Sequence, residues 1–231
     1  MGIREVENKL FEKWRKKYET ASFVIDGCPN PDIYIQEDRK VVFVLKDGNL
    51  GEPNLGDTYD DRIYDQRDEL EKNPTPWWNT IAKWSFFLKT PSASWELSKD
   101  KIKDQLSIKT ALSHHCIVQL KKTWGVGAVS NDKLAEVVLN DKNEIISQLT
   151  IYEPDFIIAC GNGDYLSKVF NCHHDNHMET SAGVGYWKLE LNNKACYLID
   201  YCHPSIRVGT KVKGIIAKGL SSAILEIEQN T

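Results

Sequence analysis

Val41-Val42-Phe43-Val44-Leu45 is an unbroken apolar run, rich in β-branched residues, that stops at Lys46-Asp47-Gly48-Asn49. Three more runs share its character: Cys116-Ile117-Val118 with Leu120, Phe156-Ile157-Ile158-Ala159-Cys160, and Ala195-Cys196-Tyr197-Leu198-Ile199. A strand apolar at nearly every residue, rather than at alternate ones, is covered on both faces. Helical patterns separate the runs. Residues 4–17 carry Val6, Leu10 and Trp14 on one side, and residues 76–88 carry Trp77, Ile81, Trp84 and Leu88 behind Pro76, which suits a first helical turn. Residues 132–149 hold Leu134, Val137, Val138, Ile145 and Leu149 behind an N-cap at Asn131 or Asp132, and residues 213–227 repeat the pattern. Strands alternating with helices predict an α/β fold, a three-layer α/β/α sandwich with a central, mostly parallel four-stranded sheet. No repeat, low-complexity segment or linker divides the chain. One domain is expected over residues 1–231, with an N-terminal helix and lead-in at 1–37 and an acidic insertion at 50–75.

The bulk properties narrow the function. With 41% hydrophobic and 27% charged residues over 231 positions, disorder, collagen and coiled coil are excluded. Lys and Arg number 29 against 33 Asp and Glu, a formal charge of −4, so no global positive field exists and nucleic-acid contact must rest on a local patch. The amino end lacks the apolar run of a signal peptide and no stretch approaches bilayer length, so a cytoplasmic protein with no membrane contact is expected. The six cysteines form no CxxC pair and read as buried free thiols.

In open α/β sheets, ligands bind beyond the carboxyl ends of the strands. The first run ends in Asp47-Gly48-Asn49, and the second reaches Gln119 and then Lys121-Lys122. The third passes into Gly161-Asn162-Gly163-Asp164, and the fourth into Asp200-Tyr201-Cys202-His203-Pro204-Ser205. If the strands are parallel, a carboxylate, an amide, a glycine turn and an imidazole meet at one edge.

The order of these strand ends resembles the uracil-DNA glycosylase superfamily, from about residue 38 to the end. Lys46-Asp47-Gly48-Asn49 stands where that family has its water-activating loop, and His203-Pro204-Ser205 resembles its second motif, His-Pro-Ser-Pro. Gln119 stands where many members carry a base-reading Asn. The resemblance implies a monofunctional glycosylase, acting without cofactor or metal, that flips a pyrimidine nucleotide and leaves an abasic site. Asp47 would orient water and stabilise the sugar cation, and His203 would donate to the departing base. Gln119, Gly48, Asn49, Trp77, Trp78 and Tyr201 would line the base pocket. Two departures bear on the substrate. Asn49 replaces the Tyr that blocks C5-substituted pyrimidines, and Gly48 replaces a Pro. The pocket need not exclude bulk at C5, so uracil and a C5-modified cytosine, including hypermodified phage bases, are both expected substrates, in DNA repair or anti-phage defence.

Two acid-free segments flank the proposed site. One holds Arg207, Lys211, Lys213 and Lys218, the other Lys109, Lys121 and Lys122. Both are expected to position single- or double-stranded DNA through phosphates, with Ser205 and the backbone of Gly161, Asn162 and Gly163 adding contacts and Ile206 or Arg207 as the wedge. The acidic residues 57–71 read as a solvated loop. The cluster Cys172-His173-His174 with His177 matches no common zinc spacing. A monomer is expected. Two other readings stay open: a binding module on the same fold that has lost the reaction, and a different hydrolase or cofactor enzyme on the same sheet.

Overall fold

The computed structural model describes residues 1–18, 22–47, 63–72, 74–75, 78–123 and 130–230. The four apolar runs form parallel strands: β2 (Val41–Asp47), β4 (Cys116–Lys121), β5 (Phe156–Cys160) and β8 (Lys194–Tyr201). Their spatial order is β4-β2-β5-β8. Two antiparallel strands, β7 (Gly185–Leu191) and β6 (Met178–Glu179), extend the sheet beyond β8. The described sheet therefore has six strands, not the expected four. β7 differs from the others because Gly185-Tyr186-Trp187-Lys188-Leu189-Glu190-Leu191 mixes polar and apolar residues, as an outer antiparallel strand with one wetter face does. It joins β8 through Asn192 and Asn193, with φ of 54° and 62°, the paired positive values of a type I′ hairpin.

Each run is apolar throughout because its alternate residues enter two different cores. Val41, Phe43, Leu45, Ile117, Phe156, Ile158 and Ile199 face a layer made by α3 (Gln66–Lys72), α4 (Asn79–Lys89), α6 (Gln105–Leu112) and α10 (Thr210–Gln229). Val42, Val44, Cys116, Val118, Ile157, Ala159 and Leu198 face α1 (Ile3–Trp14), α7 (Asn131–Asn140), α8 (Lys142–Ile151) and α9 (Gly163–Val169). Each fully buried Val, Leu, Ile or Phe contributes about 1.5–3 kcal/mol, so the two cores hold the sheet from both sides.

The helix expected over 132–149 is two helices. Ser130, rather than Asn131 or Asp132, caps the first by accepting the Lys133 N–H. The break falls at Asp141, fully buried, whose carboxylate accepts the Tyr18 hydroxyl at 2.6 Å and pairs with Lys17 at 3.6 Å. That tie fixes the carboxylate to the end of the N-terminal helical segment.

The β4 edge is also closed. β1 (Phe23–Ile25) and the residues after it run antiparallel to β4, with Gly27 and Ile117 exchanging two backbone hydrogen bonds of 2.8 Å. Gly27 has φ of +121°, and a Cβ there would lie 2.2 Å from the Tyr152 hydroxyl, so only glycine fits. β3 (Ile63–Asp65) pairs parallel with β1 and leads into α3. The described half of the acidic stretch is thus strand and helix instead of a solvated loop. Its anchor is Arg67, 3% exposed, which donates to Glu7 at 2.9 Å and to both Asp65 oxygens.

Candidate active site

The chain leaves β2 to form β4 on one side and then crosses to form β5 on the other. Connections therefore diverge from the carboxyl ends of β2 and β5, the arrangement that opens a ligand crevice in α/β sheets. Asp47 is the last residue of β2, in register with Lys121. Its side chain lies outside the described residues, as do Gly48, Asn49 and Trp77.

Beyond β5, Gly161 has φ of +71° and donates its N–H to Tyr201 O at 2.6 Å. A Cβ on Gly161 would lie 3.2 Å from the His203 Cβ. The glycine is therefore a seat for His203, and its N–H is not available to a phosphate. Asn162 is buried and reaches back to donate to Val44 O of β2 at 3.0 Å. Gly163 opens α9 against Asp200, where a Cβ would lie 2.3 Å from Oδ1, and its N–H bonds to that carboxylate. The expected phosphate contacts through the backbone of Gly161 and Gly163 are therefore corrected: the first N–H is taken by Tyr201 O and the second is met by the Asp200 carboxylate, while Asn162 turns its side chain inward to β2. Burial first, then the neighbouring Asp164, push the Asp200 carboxyl up, against the opposing pull of His177 and the Gly163 N–H.

His203 follows β8 in a turn closed by Ile206 N–H to His203 O at 3.0 Å. Its Nδ1 lies 2.6 Å from Ser205 Oγ and 3.2 Å from the Ser205 backbone N. A backbone N–H can only donate, so Nδ1 is the acceptor and the neutral ring carries its proton on Nε2. The exposed Ser205 thus orients the imidazole as well as standing at the surface. Ile206 is 37% exposed at the loop tip, and Arg207 is exposed beside it.

Tyr201 is half-buried, edge-on to Trp84 at 5.4 Å, with its hydroxyl donated to Ile216 O. Trp78 is a core residue rather than an open stacking wall, its indole N–H donated to Glu69 at 3.2 Å. Gln119 is buried on the same face as Ile117, paired in register with Leu45. Its backbone N–H donates to Asp26 Oδ2 at 2.6 Å and its Nε2 to Gln66 Oε1 at 3.4 Å, while its buried Oε1 has no hydrogen-bond partner among the described residues.

Neither lysine of the Lys121-Lys122 pair faces solvent. Lys121 is buried and donates to Thr123 O at 2.6 Å. Lys122 is 0% exposed, bonded at 2.6 Å to both oxygens of Asp26, itself 0% exposed, with its ammonium 4.9 Å from the Trp14 ring. Both expected phosphate contacts are corrected: an ammonium so enclosed cannot reach a DNA strand. Asp26 also accepts the Gln148 amide, which reaches Tyr152 and through it Glu7 and Arg67. This buried chain of polar groups gave no sequence signal, because its members are scattered singly from residue 7 to residue 152. Lys211 is exposed and Lys213 half-buried at the start of α10, compatible with an outward role.

Around the histidine cluster, the His174 and His177 rings lie 6.3 Å apart and His177 packs on Trp187 at 4.5 Å. Among the described residues no three His, Cys, Asp or Glu side chains converge as metal ligands, and no helix is long and apolar enough to cross a membrane. Compared with known proteins, the chain matches no protein-family model and no curated protein.

Proposed function

We propose that this protein is a uracil-DNA glycosylase-like enzyme, a monofunctional DNA glycosylase that hydrolyses the bond between a flipped pyrimidine and its sugar. The observation that carries the reading is the seating of His203 on Gly161, with Nδ1 occupied by Ser205, at the same sheet edge as Asp47. β5 alone separates β2 from β8, so their ends stand about 10 Å apart, two strand spacings. A nucleotide swung out of its helix can enter a gap of that size.

In the reaction, water adds its oxygen to the sugar C1′ while the C1′–N bond breaks and its electron pair leaves with the base. Positive charge grows on the sugar, where the Asp47 carboxylate would oppose it and take up the proton released by water. Negative charge grows on the base, where the Nε2–H of neutral His203 would donate a hydrogen bond to an oxygen. Gln119 would read the base edge. The substrate is uracil or a C5-modified cytosine in DNA, serving repair or defence against phage.

Mass spectrometry of free bases released from uracil-containing DNA and from hypermodified phage DNA tests the proposal. Release of one base, with alkali-sensitive sites left in the strand, is the expected result. Asp47→Ala and His203→Ala should each abolish most of it while DNA binding persists. Binding with no base released from any pool would replace the enzyme by a binding module.

A further inference from the structure

Cations gather where α4, α10 and α5 (Trp95–Lys101) meet. The Trp95 indole stacks on Phe87 of α4, with ring centroids 6.2 Å apart and planes 16° apart. Lys83 of α4 holds its ammonium 5.4 Å from the Trp95 ring centroid. α10 approaches so closely that a Cβ on Gly214 would lie 3.0 Å from the Trp95 Cβ, which brings Lys213 to the same corner. Lys99, one turn after Trp95, completes the group and is ion-paired with Glu96.

The group has little to neutralise it. Residues 74–95 and 201–225 contain no Asp or Glu, so the acids nearby in sequence are Glu96 and Asp100 of α5. Lys83 and Lys213 form no ion pair with a carboxylate among the described residues. Burial lowers the proton affinity of Lys83, and the charges of Lys213 and Lys99 lower it further, as expected of cations held close together. The positive face continues towards the candidate site through Lys211 and Arg207, both exposed. Apolar side chains interleave with them: Val212 is 43% exposed, Ile215 61% and Ile206 37%.

We infer that the junction of α4, α5 and α10, continuous with the loop after His203, docks the phosphate backbone of DNA beside the flipped nucleotide. Charge complementarity selects this occupant. Separated cations with apolar groups between them suit a polyanion of regularly spaced charge. The inference deepens the glycosylase reading and rests on it. It also brings Lys83 and Lys99, from segments remote from His203 in the chain, into the binding face.

Fluorescence anisotropy with a labelled duplex, titrated at several salt concentrations, tests it. Lys83→Gln/Lys213→Gln should weaken binding, and the slope of log affinity against log salt should flatten by about 1.8, two lost phosphate contacts. Lys133→Gln/Lys188→Gln, exposed lysines on α7 and β7, should leave both unchanged. Equal loss in the two double variants, an unaltered slope, or no duplex binding by the wild-type protein overturns the inference. Displacement of the duplex by polyglutamate at equal charge concentration overturns it too, and reassigns the face to an acidic protein. Base release separates this inference from the reaction it rests on. Binding that depends on Lys83 and Lys213 without any released base keeps the DNA surface and removes the glycosylase. Base release with binding indifferent to these lysines does the reverse.

Discussion

Lys122→Ala should destabilise the fold and leave the affinity of the folded protein for DNA unchanged. The ammonium is fully enclosed, shared between both oxygens of Asp26 at 2.6 Å and packed over Trp14 and Phe11. Deleting it strands a buried carboxylate, and breaking such a pair from one side costs about 3–5 kcal/mol. That is a large share of the roughly 5–15 kcal/mol that holds a domain together. At this chain length 1 kcal/mol moves the melting temperature by about 2–4 °C, so a fall of about 6–20 °C is expected. Urea unfolding followed by tryptophan fluorescence gives the stability, and anisotropy at a temperature where the variant is folded gives the affinity. Asp26→Ala/Lys122→Met should recover part of the loss, since no charge is then stranded. Recovery should be incomplete, because the Gln119 N–H and the Gln148 amide lose their acceptor at about 1–3 kcal/mol each. A Lys122→Ala protein within about 1 kcal/mol of wild type, the range of a surface pair, would refute the reasoning. So would lost DNA affinity at unchanged stability.

Three further outcomes are expected. His115 is buried with Nε2 2.7 Å from Ser85 Oγ, and burial depresses its pKa to about 3. The unfolded chain therefore binds more protons than the folded one between about pH 6.5 and that value. Its contribution is complete above the upper limit and falls by up to about 1.4 kcal/mol per pH unit on acidification. Urea midpoints at pH 7, 5 and 4 should flatten in His115→Phe, and an identical slope in both proteins would exclude the histidine as the cause. Gly161→Ala forces an L-residue into positive φ, at about 1–2 kcal/mol, and pushes on the His203 Cβ. Its base release should fall further than its stability explains, and wild-type turnover would mean that His203 needs no such seat. Gln119→Asn withdraws the amide by one methylene and should change which base is released; an unchanged preference in competition assays would remove Gln119 from base reading.

The four parallel strands were legible because burial on both faces forces apolar residues at every position, as from Val41 to Leu45. β7 was not, because its polar residues break the run, and the Asn192-Asn193 turn that joins it to β8 shows itself only through the positive φ of both residues. The helix break at Asp141 escaped because the apolar spacing runs across it, and the partners that hold Asp141 there, Tyr18 and Lys17, are remote in the chain. At the site, the convergence of strand ends followed from parallel topology, and His203 and Gly161 meet there. The lysines divided by location rather than by type. Lys121-Lys122 looked as basic as Lys211 and Lys213, yet Lys122 points to the core under α1, where Asp26 waits 96 residues away in the chain. Residue type gives the charge, but only tertiary packing determines whether that charge meets solvent.

The same packing bears on base selection. Gln119 is constrained at two points, its main chain by Asp26 and its amide nitrogen by Gln66, so among the described residues the group left over is the carbonyl oxygen. Were the proposed base to reach it, an acceptor so fixed would require a donor, which both the N3–H of uracil and the exocyclic amino group of cytosine supply. Thymine carries the same N3–H. On the proposed reading, Gln119 in this orientation would select a donor-bearing pyrimidine edge and would not sense the C5 substituent. On that reading, discrimination at C5 would fall to residues that approach that carbon, and Asn49, where the family resembled in sequence carries a blocking Tyr, is the candidate position. Such a division of labour would let a buried Gln119 and an altered Asn49 occur together, one side chain holding the ring edge while the other leaves room for what the ring carries.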